Sequence, residues 1–429
     1  MSGDVLIVRG GASFSFRPRA LRFPAVSRYA LPALLLLGAC GGDPEGAGRP
    51  GVRDSSDLPA PVVGTSSCDP GLGAPLIGPQ VTLAEAYAPY FKLGVAVGSR
   101  VSSGRDPLAA ELAAQQYNRA TPENAFKWQS LQPREGQFDF TQAEEFLSFA
   151  ESHAMEVHGH TIVWHQQVPA WVFEAAPGAE LTRELLLARL GAHMSALAER
   201  LGARVQYWDV VNEAFNDDGS LRSSPWRTII GPDYLEQAFM LADRYFPNAK
   251  LVYNDFGMES AGKRDAVVQM VRGFRAKSIR IDAIGTQGHF RIDAPPLSAI
   301  DQAITAFADA GAEVLVTELD VDVLPSATQD QRADLSLSAE LTERLNPYTE
   351  CLPTNVAEQA ALRWGALFEL FLAHHDAISA VTLWGVSDGH SWLNNWPVNG
   401  RTNYALLFDR ELRPKTAYQS VVDAASNAP

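Results

Sequence analysis

Two glutamates lie in short apolar runs of the chain. Glu213 closes Trp208-Asp209-Val210-Val211-Asn212-Glu213, and Glu318 sits in Val314-Leu315-Val316-Thr317-Glu318-Leu319-Asp320. A carboxylate at the end of a buried strand can act as acid, base or nucleophile. Two of them flanking one bond are the minimum equipment for cleaving a glycosidic linkage, one giving a proton to the leaving oxygen while the other stays ionised. A strand-end glutamate taken alone is more often a solvated surface residue, but a matched pair is harder to assign to chance. Asp209, inside its run, reads as a buried structural acid with hydrogen-bond partners.

Histidines offer a competing chemistry. Strand alternation puts His158 and His160 on one face, a pair that resembles the metal-binding strand of amidohydrolase barrels. That pattern belongs on the first strand of such barrels, whereas here it falls on the third candidate strand, and His289 is the one obvious further ligand downstream. No metal and no other cofactor is therefore expected.

The elements that must position these groups alternate regularly. Strand-like runs are predicted at Leu93–Val97, Tyr117–Thr121, Glu156–Val163, Tyr207–Asn212, Leu251–Asn254, Ala283–Gln287, Val314–Glu318 and Ala380–Trp384. Helical spacing of apolar residues is predicted over Asp106–Tyr117, Thr141–Ala154, Thr182–Leu201, Pro232–Phe246, Lys263–Lys277, Pro296–Ala310, Val356–His375 and Pro414–Ala425. Eight strand–helix pairs imply an α/β chain folded as a single (β/α)₈ TIM barrel, with Glu213 and Glu318 at one rim. A doubly wound sheet is the alternative, but no Gly-rich phosphate loop follows an early strand. A long segment, Ser326–Thr354, follows the seventh strand and carries a predicted helical piece around Leu335–Leu345. Loops after barrel strands line the active face, so it can shape substrate access.

The N-terminus has a different composition. Arg9, Arg17, Arg19, Arg22 and Arg28 precede an apolar stretch ending Leu37-Gly38-Ala39-Cys40, the pattern of a secretory signal. Its last four residues resemble a bacterial lipobox, so residues 1–40 are expected to be a lipoprotein-type signal, lipidated at Cys40; an ordinary cleaved signal is the simpler alternative. Residues 41–78, rich in Gly, Pro and Ser, read as a flexible tether, and 79–427 as the catalytic barrel. Beyond the signal the chain has 30 basic against 49 acidic residues, a net of −19, which disfavours nucleic acid as a partner. With Cys40 lipidated, Cys68 and Cys351 remain, either bridged or as free thiols.

Seven motifs in order give the chain a resemblance to the family 10 glycoside hydrolases, the barrel endo-β-1,4-xylanases, over residues 80–425. They are Thr121-Pro122-Glu123-Asn124-Ala125-Phe126-Lys127-Trp128, the run Gly159 to Trp171, Trp208 to Glu213, Tyr253-Asn254-Asp255, Gly285-Thr286-Gln287-Gly288-His289, Thr317-Glu318-Leu319-Asp320 and Trp384-Gly385-Val386-Ser387-Asp388. The resemblance implies that Glu213 is the acid/base and Glu318 the nucleophile of a retaining mechanism. It implies too that His289 supports the nucleophile and Asn212 contacts the sugar 2-hydroxyl. Glu123, Asn124, Lys127, His160, Trp164, Gln167, Gln287, Trp384 and Trp392 match substrate-binding positions, the tryptophans doubling as stacking platforms that crowd a hexose hydroxymethyl group and so favour xylose. Phe126 stands where the family usually has Met, and Gln166 where it often has Ser. The expected partners are xylan and, through Cys40, an envelope membrane, with the chain acting as a monomer. A catalytically silent glycan-binding barrel is the alternative from another class, disfavoured by the joint presence of Glu213, Glu318, Asn212 and His289.

Overall fold

The computed structural model describes residues 67–69, 71–73, 81–176, 178–326 and 338–428. Among the described residues nine strands occur in the order β1 (Lys92–Val97), β2 (Arg119–Pro122), β3 (Glu156–Gly159), β4 (Tyr207–Asn212), β5 (Lys250–Asp255), β6 (Ala283–Thr286), β7 (His289–Arg291), β8 (Glu313–Asp322) and β9 (Ile378–Leu383). Eight of them pair in parallel around a closed ring: β1 to β6 in sequence, then β6 on β8, β8 on β9 and β9 on β1. This is the (β/α)₈ barrel. The ninth, β7, pairs with the upper end of β8, through His289 opposite Asp320. That pairing carries β8 past Glu318, so this glutamate lies inside a strand rather than at its end.

All eight expected helices form, each within two residues of the limits read from the sequence. Their starts are fixed locally. Asp106 accepts from Ala109 N at the head of Pro107–Gln116, where Pro107 supplies a φ suited to a first turn. Thr182 caps Arg183–Arg200 in the same way. Apolar faces of these helices pack on the outside of the barrel, with Leu112, Phe146, Leu190, Phe239, Val271, Ile304 and Phe368 all buried.

Inside the barrel the lower layer is partly ionic. Arg119, almost fully buried, donates to Glu156 at 2.6 Å and lies over the Tyr207 ring at 4.0 Å, while Tyr207 donates to Glu313 at 2.9 Å. Above them Val252, Ala283, Leu315 and Ala380 fill the interior with Tyr207. β3 is shorter than predicted, because its pairing ends at Gly159 and the chain turns into the pocket through a cis His160–Thr161 peptide; Val163 makes only an isolated bridge to Val211.

Two expectations about the loops and N-terminus change. The predicted helical piece at Leu335–Leu345 falls partly outside the described residues, and among 338–345 only Glu343–Leu345 is helical, as a 3₁₀ turn. Described parts of the expected tether are docked instead of free: Cys68 is disulfide-bonded to Cys351, Asp69 N donates to Leu352 O at 2.9 Å, and Leu72 N donates to Pro414 O at 3.0 Å. Main-chain hydrogen bonds and a covalent link hold these residues where composition alone suggests mobility. The expected signal, and Cys40 with it, lies outside the described residues. Among those described, no helix is long and apolar enough to cross a membrane.

Candidate active site

Positioning begins with an irregularity in β4. In an unbroken strand Asp209 and Asn212, three residues apart, would face opposite sides. The register of β4 on β5 shifts between Asp209 and Val211, and such a bulge resets the alternation. Both side chains consequently reach partners within the barrel. Asp209 bonds His158 and His160, and Asn212 bonds Asn254. The next residue, Glu213, has φ +59°, a left-handed conformation that costs a non-glycine residue about 1–2 kcal/mol. Its neighbours hold it there: Glu213 N donates to Asn254 O at 2.9 Å, Ala214 N to the Tyr253 hydroxyl at 3.1 Å, and Arg222 Nε to Glu213 O at 3.2 Å.

One continuous set of amides joins the two carboxylates. Glu213 Oε1 accepts from Asn212 Nδ2 and Gln287 Nε2, both at 3.1 Å, and Oε2 accepts from the Trp164 indole at 2.9 Å. Asn254 Nδ2 donates to Asn212 Oδ1 at 2.9 Å and to Glu318 Oε1 at 2.7 Å. The other oxygen of Glu318 lies 3.2 Å from His289 Nε2, while His289 Nδ1 is 3.0 Å from Asp320 Oδ2 as an ion pair.

These surroundings drive the two acids apart. Burial, reinforced by the negative charge of Asp255, pushes Glu213 up to about 7 from 4.5, so it is largely protonated in mildly acidic solution. Burial acts in the same sense on Glu318, but the hydrogen bond from His289 and the positive charges of His160 and His289 outweigh it and hold the carboxyl below its ordinary value. His289 itself stays charged: burial opposes that, yet Asp320 and Glu318 on either side raise it to about 10. One buried acid that keeps its proton and one that loses it is the division of labour that acid-assisted displacement requires.

The candidate sugar-binding residues converge on the same place. All thirteen candidates other than Cys40 line one cavity of about 160 Å³: the two carboxylates, Asn212, His289, Gln287, Glu123, Asn124, Lys127, His160, Trp164, Gln167, Trp384 and Trp392. Lys127 Nζ is held by Asn124 Oδ1 at 2.9 Å and Gln167 Oε1 at 2.7 Å, and lies 5.2 Å from the Trp164 ring centroid. Trp384 packs edge-on against His160, and Trp392 stacks on Trp396 while donating its N–H to Asp320 at 2.8 Å. Indole faces beside fixed donors and acceptors are what a pyranose ring needs.

His158 and His160 are occupied in another way than as a metal pair. Each places a ring nitrogen 2.8 Å from an oxygen of Asp209. Arg119 Nη2 donates to His158 Nδ1 at 2.8 Å, which leaves Nε2 to donate to Asp209. Asp209 is thus the buried, partnered acid that its mid-strand position suggests. Among the described residues no group of three or more His, Cys, Asp or Glu side chains is placed to hold a metal ion.

Three site residues have no assigned role in the sequence reading, although they stand in its motifs. Asn254 lies in β5 beside Asn212 of β4, and the strand-end rule that singled out Glu213 could have found it. Asp255 bears on Glu213, and Asp320 pairs with His289. Their signal is proximity across neighbouring strands, which a linear sequence hides.

Known proteins are similar to this chain over most of its length. The family model for glycosyl hydrolase family 10 matches residues 82–424. The chain is similar to endo-1,4-beta-xylanase A of Xylanibacter ruminicola, 38% identical over 343 residues that span 80% of this chain and 93% of that protein. It is equally similar, at 38% identity, to an endo-1,4-beta-xylanase of Geobacillus stearothermophilus, covering 80% and 98% of the two chains. Among solved structures it resembles a family 10 endoxylanase from a sugarcane soil metagenome, with a TM-score of 0.77, 41% identity and coverage of 80% and 99%. A xylanase from Paenibacillus barcinonensis matches with a TM-score of 0.73, 36% identity and coverage of 80% and 98%.

Proposed function

The chain belongs to glycosyl hydrolase family 10, and from that premise we propose that it cleaves internal β-1,4-xylosidic bonds of xylan with retention of anomeric configuration. The observation that carries the assignment of roles is the pairing of Glu213, raised to about 7, with Glu318, held low, in one cavity. Glu318 attacks the anomeric carbon and forms a bond to it as the C–O bond to the leaving sugar breaks. Glu213 gives its proton to that oxygen. In the second step Glu213, now a carboxylate, takes a proton from water, whose oxygen displaces Glu318 and regenerates both groups. Asn212 is assigned to the sugar 2-hydroxyl, a contact that strengthens as the oxocarbenium-like state develops.

Product analysis on xylan tests this reading. Release of new reducing ends within the polymer, with the β-anomer appearing first by NMR, is expected. Binding without products would favour a silent glycan-binding barrel, and first appearance of the α-anomer would exclude double displacement.

We also infer export and lipidation at Cys40, followed by action as a monomer at an envelope membrane. The Cys68–Cys351 disulfide supports export, because such bonds persist in oxidising compartments. Incorporation of a labelled fatty acid, lost in Cys40→Ala, is expected; an unlabelled wild-type chain would overturn the anchor. Light scattering on the lipid-free chain should give the monomer mass, and a dimer mass would overturn the monomer assignment.

A further inference from the structure

A second cavity of about 250 Å³ adjoins the active one and shares Glu123, Asn124, Trp384 and Trp392 with it. Its own side contains Arg100, Gln142 and His390. The loop after β1 begins with Gly98, where an added Cβ would lie 3.0 Å from Glu123 Oε2, so the missing side chain keeps the junction of the two cavities open. With about 30 Å³ for each water in the liquid, the second cavity has room for a group of several heavy atoms.

The polar groups around it are unequally committed. His390 bonds Ser387 at 2.8 Å and pairs with Asp106 at 3.2 Å. Lys127, which lines the catalytic cavity, is tied to Asn124 and Gln167. Arg100 is exposed, and among the described residues its guanidinium has no hydrogen bond or ion pair; the Gln142 carboxamide is likewise uncommitted. A free guanidinium beside a sugar-binding cavity, in a chain of net charge −15, is a selective feature. Its planar fork matches a carboxylate in two-point hydrogen bonding, which neutral sugar hydroxyls do not offer.

We propose that this cavity is a side-group subsite in which Arg100 and Gln142 bind the carboxylate of a uronic acid branching from the xylan backbone. The inference rests on the xylanase reading and deepens it. A backbone xylose has free hydroxyls only at positions 2 and 3, so the acidic sugar is joined through one of them. Glu123 and Asn124, which both cavities share, are positions that the family resemblance places on the glycone side, so the uronate stays with the glycone fragment after cleavage.

Steady-state kinetics on three xylo-oligosaccharides of equal backbone length test this: linear, carrying one internal uronic acid, or carrying one neutral sugar at the same place. The readout is kcat/KM on each branched substrate divided by that on the linear one. For Arg100→Ala the uronate ratio should fall about fivefold or more, and further for Arg100→Glu, while the neutral-branch ratio holds. Arg100→Lys should restore only part of the loss. Mass spectrometry should find the uronate on the glycone fragment. A uronate ratio unchanged in Arg100→Ala, an equal fall in both ratios, or a uronate recovered solely on the aglycone fragment would overturn the subsite. Failure of the wild-type chain to cut the linear oligosaccharide would instead overturn the xylanase reading on which it rests.

Discussion

Asn254 donates its amide to Glu318 Oε1 at 2.7 Å, closer than the 3.1 Å at which the Asn212 and Gln287 amides meet Glu213 Oε1. The same nitrogen reaches Asn212, and the Asn254 oxygen accepts from Thr317 at 2.6 Å. One side chain of β5 therefore orients Glu318 and Asn212 together, and Asn212 in turn donates to Glu213. Replacing Asn254 by Ala should leave the barrel folded by circular dichroism and lower kcat roughly 10- to 100-fold, through the loss of one charge-assisted hydrogen bond and the neutral one to Asn212. Wild-type kcat in that variant would remove Asn254 from the positioning of Glu318.

The pH dependence follows from the opposed carboxyls. Glu318 must be ionised, and its low value puts the acidic limb of kcat/KM beneath the ordinary glutamate range; Glu213 must be protonated, so activity falls as pH rises through about 7. Stability carries the same sign. Glu213 has a folded value above its usual 4.5, so its contribution is complete below about 4.5 and is lost as pH rises through about 7. Glu213→Gln, which mimics the neutral acid, should therefore gain in unfolding free energy over wild type above pH 7, by up to roughly 3 kcal/mol, and melt at a higher temperature there. A gap between the two melting temperatures that stays constant from pH 5 to pH 9 would contradict the raised value.

His289 supports Glu318 from the other side. Removing it takes away a hydrogen bond and a positive charge that favour the carboxylate. His289→Asn should shift the acidic limb of kcat/KM upward and reduce kcat about 100-fold. A reduced kcat with an unmoved acidic limb would mean that His289 acts on shape alone.

How much of this was legible beforehand depends on where the barrel is polar. Runs such as Leu251–Asn254 and Val314–Glu318 announce themselves because their neighbours are apolar. β2 and β3 are the least legible in the sequence, since Arg119 pairs with Glu156 and His158 inside the barrel and these residues break the apolar pattern. Glu213 and Glu318 could be named from their position in strand-like runs. The bulge that turns Asn212 inward, the left-handed backbone of Glu213 and the part played by Asp255 could not, because each depends on register between strands.

The Cys68–Cys351 bridge closes a span of 283 residues and pins the N-terminal segment beside the start of the helix Thr354–Ala373. Cys68→Ser with Cys351→Ser should destabilise the chain by about 2–5 kcal/mol in denaturant unfolding. Turnover in the folded state should remain close to wild type, because neither cysteine lines the active cavity. Unchanged unfolding midpoints would show that the segment contributes no constraint.

The assignment of roles is tested most directly by trapping the intermediate. A 2-deoxy-2-fluoro xylobioside with a good leaving group should slow the second step and leave a glycosyl group esterified to the enzyme, located by mass spectrometry of its peptides. A single label on Glu318 is expected. A label on Glu213, or fast turnover with no covalent species and an inverted product, would contradict it.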